Sequence, residues 1–479
     1  MIDFNLVPLM PEIFLAITAM GLLIVGAFQG NCTLRVISWF GVGALCLALF
    51  MLTRIDWHLG AVLNNMFELD TFSAIVKVFI IIGLVASLAL SVRYLFDENI
   101  VRFEFPILIL LAGVGMLLMV SATHFLSLYV ALELQSLSLY VLAAFRRTGL
   151  RSSEAGVKYF TLGALSSGML LFGISLIYGA VGGLAFDDVA MVAAAGDVSP
   201  LLIVGMVFVI SALAFKVSAA PFHMWTPDVY QGAPSAVTAF FAIVPKLAAM
   251  ALLIKLLMGP FYAMALQWGQ VLYALALLST VVGAFAALVQ DNVKRLMAYS
   301  SIGNMGYAMI GLVAASPAGV SATLLYLVLY MFMTAGAFAI ILSMRRGDLQ
   351  VLNISDFAGL SQTRPFLAYG FAIILFSMSG IPPMAGFFGK LVVFEAAMEA
   401  ELYVLGTIGV VSSVIAAFYY LRLIKVMFFD PPEDAINDDT PFARYVVLGV
   451  SLAMVTLFIF KPAGLMDLMD SAAQSLFIS

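Results

Sequence analysis

Leu201–Trp225 reads LLIVGMVFVISALAFKVSAAPFHMW, and from Leu201 to Phe215 it holds no charged side chain. About 20 apolar residues are needed to cross a ~30 Å hydrocarbon core as helix, so the stretch is a membrane span. Two residues do not suit it. Lys216 sits where an ionisable side chain costs roughly 2.5–3.5 kcal/mol, and so calls for a partner or a hydrated cavity. Pro221 lacks a backbone donor and frees a carbonyl, which in lipid is tolerated only beside protein or water. A helix broken in mid-membrane is a feature of transport sites in many carriers, although a proline alone also makes inert kinks.

Working outward, the chain repeats the apolar theme. Of 479 residues, 64% are hydrophobic and 10% charged, with mean hydropathy +1.11. Soluble domains carry about 25% charged residues, so a soluble fold is excluded. Apolar stretches bounded by Gly, Pro or charge fall near residues 8–28, 34–53, 71–94, 105–121, 123–145, 156–181, 200–229, 234–257, 268–289, 294–314, 319–344, 365–399, 403–428 and 441–460. They predict an all-α polytopic membrane protein of about fourteen transmembrane helices. The opening MIDFNLVPLMPEIF has no basic region ahead of its apolar run, and is expected to start a retained span, not a cleaved signal. A net charge of −5 without a basic tract argues against nucleic acid as a partner. Cys32 and Cys46 have no Cys/His cluster near them; they read as packing residues, and no metal site is expected.

Basic residues in short loops favour the cytoplasm. Loops after odd-numbered stretches hold Arg35, Arg93, Arg102, Arg146, Arg147, Arg151, Lys294, Arg295, Arg345, Arg346, Arg364, Arg422, Lys425 and Arg444. The other side has only Arg54, Lys255 and Lys461, with Asp187, Asp188 and Asp197 in one of its loops. Both termini are therefore expected outside the cytoplasm.

Five lysines fall within the spans: Lys77, Lys158, Lys216, Lys246 and Lys390. Lys77 and Lys158 lie near span ends, where a long stem can snorkel to the interface, and Lys77 is expected to do so. Glu133, in YVALELQSLSLYVL, is the clearest intramembrane carboxylate. Burial disfavours an ammonium and a nearby carboxylate restores it, so a Lys–Glu pair is suited to take up and release a proton; a static ion pair is the plainer alternative. A second proline break stands at Pro382-Pro383 in FSMSGIPPMAGFFGK, residues 376–390. Offset by 161 residues, Phe215, Ser218 and Pro221 match Phe376, Ser379 and Pro382, hinting at a repeat of five helices. His223 follows the first break and His124 opens the fifth span; either suits a proton relay or an ordinary hydrogen bond. With His58 the chain has three histidines, which argues against haem. No dinucleotide fingerprint is present. Gly389-Lys390 is no phosphate loop, because Met384 and Leu391 stand where Gly and Ser or Thr belong. Moving one charge against ~150 mV costs about 3.5 kcal/mol, so a pump built from this chain draws its energy from a partner.

The stretches KVSAAPFHMWTPDVYQGAPSAVTAFFAIVPK (216–246), DNVKRLMAYSSIGNMGYAMIG (291–311) and SMSGIPPMAGFFGK (377–390) closely resemble the antiporter-like membrane subunits of respiratory NADH:quinone oxidoreductase (complex I) and of Mrp-type antiporters. The resemblance runs over essentially the whole chain. It implies two inverted five-helix repeats, spans four to eight (105–260) and nine to thirteen (261–430), with the seventh and twelfth helices broken. A three-helix segment (1–104) would precede them, and a last helix and tail (431–479) would follow. It further implies a proton path with Glu133 and Lys216 paired at the entry, Lys158 and His223 near them, Lys246 as central relay and Lys390 as terminal residue. Lysine at the terminal position, where other members carry glutamate, matches the subunit N branch. No lateral helix is expected after the last span. The chain would hold no cofactor itself; FMN, iron–sulfur clusters and quinone are expected on partner subunits of a complex in the bacterial inner membrane, with neighbouring antiporter-like subunits and lipid around it. The alternatives are a cation/proton antiporter of the Mrp type and a structural subunit that transports nothing.

Overall fold

Within hydrocarbon each backbone N–H needs a partner in its own segment, and the apolar runs accordingly fold as helices. The computed structural model describes residues 5–57, 59–196, 198–432, 436–437 and 439–477; His58 and Asp197 lie outside the described residues. The first crossings are α1 (Met10–Gln29), α2 (Leu34–Leu52), α3 (Thr71–Asp97), α4 (Glu104–Ser121), α5 (Phe125–Ala143) and α6 (Leu150–Val181). A short α7 (Phe186–Ala194) precedes the seventh crossing, which is split into α8 (Pro200–Val217) and α9 (Trp225–Gly232). The eighth is divided at Val244 into α10 (Ser235–Ile243) and α11 (Pro245–Met258). Then come α12 (Ala265–Leu288), α13 (Val293–Val313), α14 (Pro317–Ile341), the single turn α15 (Leu360–Thr363) and a second split crossing, α16 (Pro365–Ser379) and α17 (Ala385–Glu399). α18 (Tyr403–Phe429), α19 (Phe442–Leu457) and α20 (Ala463–Ser475) are the last.

Among the described residues, twelve helices are long and apolar enough to cross a membrane. α13, made more polar by Lys294, Arg295, Ser300, Ser301 and Asn304, and the split pair α16–α17 bring the crossings to the fourteen expected. Short polar side chains set several helix starts. Asp70 and Ser73 form a reciprocal capping box on α3, and Ser199 and Ser316 cap α8 and α14 just ahead of Pro200 and Pro317. α10–α11 and α14 are buried along nearly their whole length, whereas α1 and α19 stay largely open at the surface. Lipid supplies no hydrophobic drive between helices, so close packing of small residues must hold them. At the α12–α13 contact a Cβ on Gly283 would lie 2.4 Å from the Gly303 nitrogen, so the backbones touch there.

The two breaks correspond, one residue out of the register read from sequence. The residues in left-handed conformation that end α8 and α16 are Ser218 (φ 65°) and Gly380 (φ 84°), so the offset is one more than 161. Other expectations need correction. Lys77 does not snorkel: it is 1% exposed and lies 2.5 Å from Glu12 of α1, a carboxylate that the sequence reading passed over. Lys294 and Lys255, counted as loop residues, are buried. Lys294 donates to the Ala233 carbonyl at 2.7 Å; Lys255 donates to the Val120 carbonyl at 3.1 Å and lies 3.3 Å from Asp70. Cys32 and Cys46, expected to pack, are both exposed. α7 and α20 were not anticipated; neither is long enough to span.

Candidate functional site

Lys216 occupies the last turn of α8, just before the chain turns at Ser218. Its Nζ donates to Ser136 Oγ at 2.7 Å and reaches Tyr140 OH at 3.4 Å, both on α5. Glu133, Ser136 and Tyr140 recur at helical spacing on one face of α5, so lysine and carboxylate address the same stripe. They are not in direct contact: among the described residues no ion pair joins Glu133 to Lys216, and Glu133 Oε1 is buried without a hydrogen-bond partner. The serine stands where the resemblance implies a carboxylate partner.

Lys158, on α6, lies between two carboxylates, at 2.8 Å from Glu154 and 2.8 Å from Asp228 of α9. Arg295 of α13 closes the group, 2.7 Å from the other oxygen of Asp228. This cluster is half-exposed and separate from Lys216. His223 lies in the connection between α8 and α9, and three buried polar atoms around that break lack hydrogen-bond partners: Ser218 Oγ, His223 Nδ1 and Thr226 Oγ1. Unsatisfied groups of this kind cost about 1–3 kcal/mol each, and a protein keeps few of them without a use.

Lys246 follows Pro245 at the point where α10 gives way to α11. It is 2% exposed, donates to Ser301 Oγ at 2.6 Å, and sits 5.3 Å from the centre of the Tyr230 ring. From Ser301 a polar stripe follows α13. Ser300 shares a 2.5 Å hydrogen bond with Tyr420 OH, Asn304 donates to the Ser300 carbonyl at 2.8 Å, and Tyr326 OH donates to Asn304 Oδ1 at 2.6 Å. Tyr307, one turn on, presents its ring 4.8 Å from Lys390 Nζ.

Lys390, on α17, reaches back across the second break. Its Nζ donates to the carbonyls of Met378 at 3.0 Å and Ser379 at 3.3 Å, and to Ser413 Oγ of α18 at 2.8 Å. The final carbonyls of a helix have no partner of their own and carry partial negative charge, so an ammonium suits the end of α16. At the first break the Phe215 carbonyl instead accepts from Trp225 Nε1 at 2.9 Å, a neutral donor. The half-units therefore share a broken helix and differ in what caps it.

All six residues expected in a path are placed, then, but not all together. Lys246 and Lys390 are buried and Lys216 is half-buried, each bonded to a serine of a neighbouring helix; Lys158 is outside this row, and His223 Nδ1 has no hydrogen-bond partner. The connecting groups Ser300, Ser301, Asn304, Tyr326, Ser413 and Tyr420 were missed. The YSSIGNMGY run, with Ser300, Asn304 and Tyr307 on one helical face of α13, was the available signal.

Residues 122–416 match the family model for the membrane segment of NADH:quinone oxidoreductase and Mrp antiporters. The chain is 46% identical to NADH-quinone oxidoreductase subunit N of Paramagnetospirillum magneticum, over 99% of this chain and 98% of that one. A chain of respiratory complex I from Thermus thermophilus superposes with TM-score 0.80 at 32% identity, covering 95% of this chain and 98% of that one. A chain of the Mrp complex from Dietzia sp. has the same fold, with TM-score 0.86 at 21% identity over 99% and 98%.

Proposed function

The chain belongs to the NADH:quinone oxidoreductase/Mrp antiporter family, on its NADH-quinone oxidoreductase subunit N branch, and from that premise we propose that it moves protons for the complex through its row of intramembrane lysines. It is a non-redox membrane subunit of an enzyme complex. Quinone reduction on partner subunits, which would also carry FMN and iron–sulfur clusters, supplies the free energy. The observation that carries this reading is the sequence Lys216–Ser136, Lys246–Ser301, Lys390–Ser413, with α13 touching the last two lysines through Ser301 and the Tyr307 ring.

In this reading Glu133 and Lys216 form the input. With Ser136 and Tyr140 holding the ammonium, Glu133 is free to draw it in when the neighbouring subunit changes, and the lysine's hold on its proton changes with that distance. The proton passes Lys246 and leaves at Lys390, whose Nζ is held by the carbonyls at the open end of α16. Lys158 with Asp228 and His223 serve uptake. The half-units are taken as 105–260 and 261–430, and the positive ends of the helices as cytoplasmic, which puts both termini in the periplasm of a bacterial inner membrane. Adjacent antiporter-like subunits are the neighbours.

The test is the assembled complex in proteoliposomes. Lys246→Ala and Glu133→Gln are expected to lower the protons moved per NADH oxidised while assembly, read by native gel, is kept. Normal assembly with unchanged stoichiometry in both variants would remove the path. A Mrp-type cation/proton antiporter would instead exchange ions in vesicles holding this chain without any redox partner.

A further inference from the structure

Between α2, α3, α14 and α19 runs a surface cavity of about 680 Å³ that plays no part in the lysine row. Its walls are apolar, with Val42 from α2, Ala89 from α3, Ala335 from α14 and Val450 from α19. Three arginines stand at one end: Arg35, Arg93 and Arg444. All lie at the same ends of their crossings, the start of α2, the finish of α3 and the start of α19. Along α3 the cavity reaches from Arg93 to Ile82, which at ~1.5 Å per residue is about 16 Å. That is half of a ~30 Å hydrocarbon core, the depth of one leaflet.

The arginines are incompletely paired. Arg444 is 2% exposed and donates one bond, to the Leu342 carbonyl at 2.7 Å; its Nε and Nη2 have no hydrogen-bond partner, and Asp97 is 3.9 Å away. Arg444 lines the cavity with two guanidinium nitrogens that make no hydrogen bond and only a 3.9 Å ion pair to Asp97, so an acceptor brought to this end has a donor group to meet. Arg93 is engaged with Asp97 at 2.8 Å and Asp439 at 2.6 Å, so the mouth also holds two carboxylates. Arg35 is exposed and makes no ion pair among the described residues; it lies over the Phe96 ring at 5.4 Å.

We propose that this groove is a binding site for an anionic phospholipid, with the phosphate at Arg35 and Arg444 and an acyl chain along α3. An apolar channel one leaflet deep fits a chain, and arginines at its mouth, one exposed and one with incompletely used donors, fit a phosphodiester, whose oxygens accept in the fork geometry of arginine. A zwitterionic headgroup brings its own cation to a mouth where three arginines already outnumber two carboxylates, and is disfavoured.

The experiment uses the assembled complex in phosphatidylcholine nanodiscs doped with a phospholipid carrying a diazirine in its acyl chain, with either a phosphatidylglycerol or a phosphatidylcholine headgroup. Crosslinks mapped by mass spectrometry are expected at Ala89, Ala335 and neighbouring wall residues, and more from the glycerol headgroup. Arg35→Gln should lower that preference roughly fivefold, the effect of one basic residue near an anionic lipid. Val450→Trp, which fills the groove from its exposed wall, should remove labelling by both probes. Equal labelling by the two headgroups, or a preference unmoved by Arg35→Gln, overturns the proposal. So does labelling of the isolated chain that disappears in the complex, which would assign the groove to a helix of a neighbouring subunit.

Discussion

At the scale of single residues, the pair Glu12–Lys77 is held by charge rather than by an aligned hydrogen bond, 2.5 Å apart with both side chains at most 2% exposed. Removing one member of a buried pair leaves an uncompensated charge and costs about 3–5 kcal/mol, whereas replacing both with apolar groups is often neutral. Glu12→Gln should therefore lower the thermal midpoint of the detergent-solubilised chain, and Glu12→Leu/Lys77→Met should restore most of it; equal melting of all three would deny the pair any weight. Asp70 offers a test by pH. Burial raises its pKa, but Lys255 and the hydrogen bonds from Ser73 outweigh that and leave it below its ordinary 3.8. A carboxyl whose folded pKa is depressed contributes stability that is present above 3.8 and is lost as pH falls through the folded value. Melting should thus become steeply pH-dependent below about pH 4, and less so in Asp70→Asn. Lys77 shows why such pairs were not legible in the sequence. Its nearness to a span end made snorkelling the cheaper reading, and nothing local records that α1, sixty-five residues upstream, turns a glutamate towards it.

At the scale of elements, the two broken crossings depend on how closely their halves approach. Gly386 is the second residue of α17, its N–H donates to Ser377 Oγ at 2.9 Å, and a Cβ there would stand 2.0 Å from the Ser377 carbonyl oxygen. No rotamer relieves a clash with backbone. Gly386→Ala should force α16 and α17 apart, withdraw the Met378 and Ser379 carbonyls from Lys390, and depress proton transfer together with stability, the latter by about 1–3 kcal/mol as in other overpacked sites. The readouts are protons per NADH and the melting midpoint. Full pumping in a stably assembled Gly386→Ala complex would separate the break from the path. Elements were the most legible level of this molecule, because ~20-residue apolar runs and interior prolines are local signals. The register of the breaks slipped by one residue because the match rested on Ser379, while the chain turns at Gly380, whose left-handed backbone needs no side chain. Contacts between elements were less legible: the serines that hold the lysines are ordinary in composition and acquire meaning only when α5, α13 and α18 bring them to an ammonium.

At the scale of the whole molecule, the direction of the proposed path depends on which face of the membrane each end meets. Several residues used for the orientation are buried, including Lys294, Arg345 and Arg444, so they do not act as free loop charges. They remain at helix ends, however, tied to carbonyls and to Glu98 or Asp97, and with Arg35, Arg93 and Arg146 they keep positive charge gathered on one face. The opposite face has Asp70 and Glu68 around Lys255. Charge gathered at helix ends biases insertion as loop charge does, since it must be held back or carried through the bilayer. The native cysteines can decide the matter. Cys32 is exposed in the turn between α1 and α2, and Cys46 lies twelve residues into α2, roughly 18 Å along the helix and so at membrane depth. A membrane-impermeant maleimide should react with Cys32 and not Cys46. If the basic face is cytoplasmic, labelling should occur in inverted membrane vesicles and be absent in intact spheroplasts, with Cys32→Ser as the control. Labelling from the spheroplast side would turn the molecule over. Lys158 and Asp228 would then lie at the periplasmic mouth, and the row from Lys216 to Lys390 would have to run from outside to inside, against the direction a redox-driven pump requires.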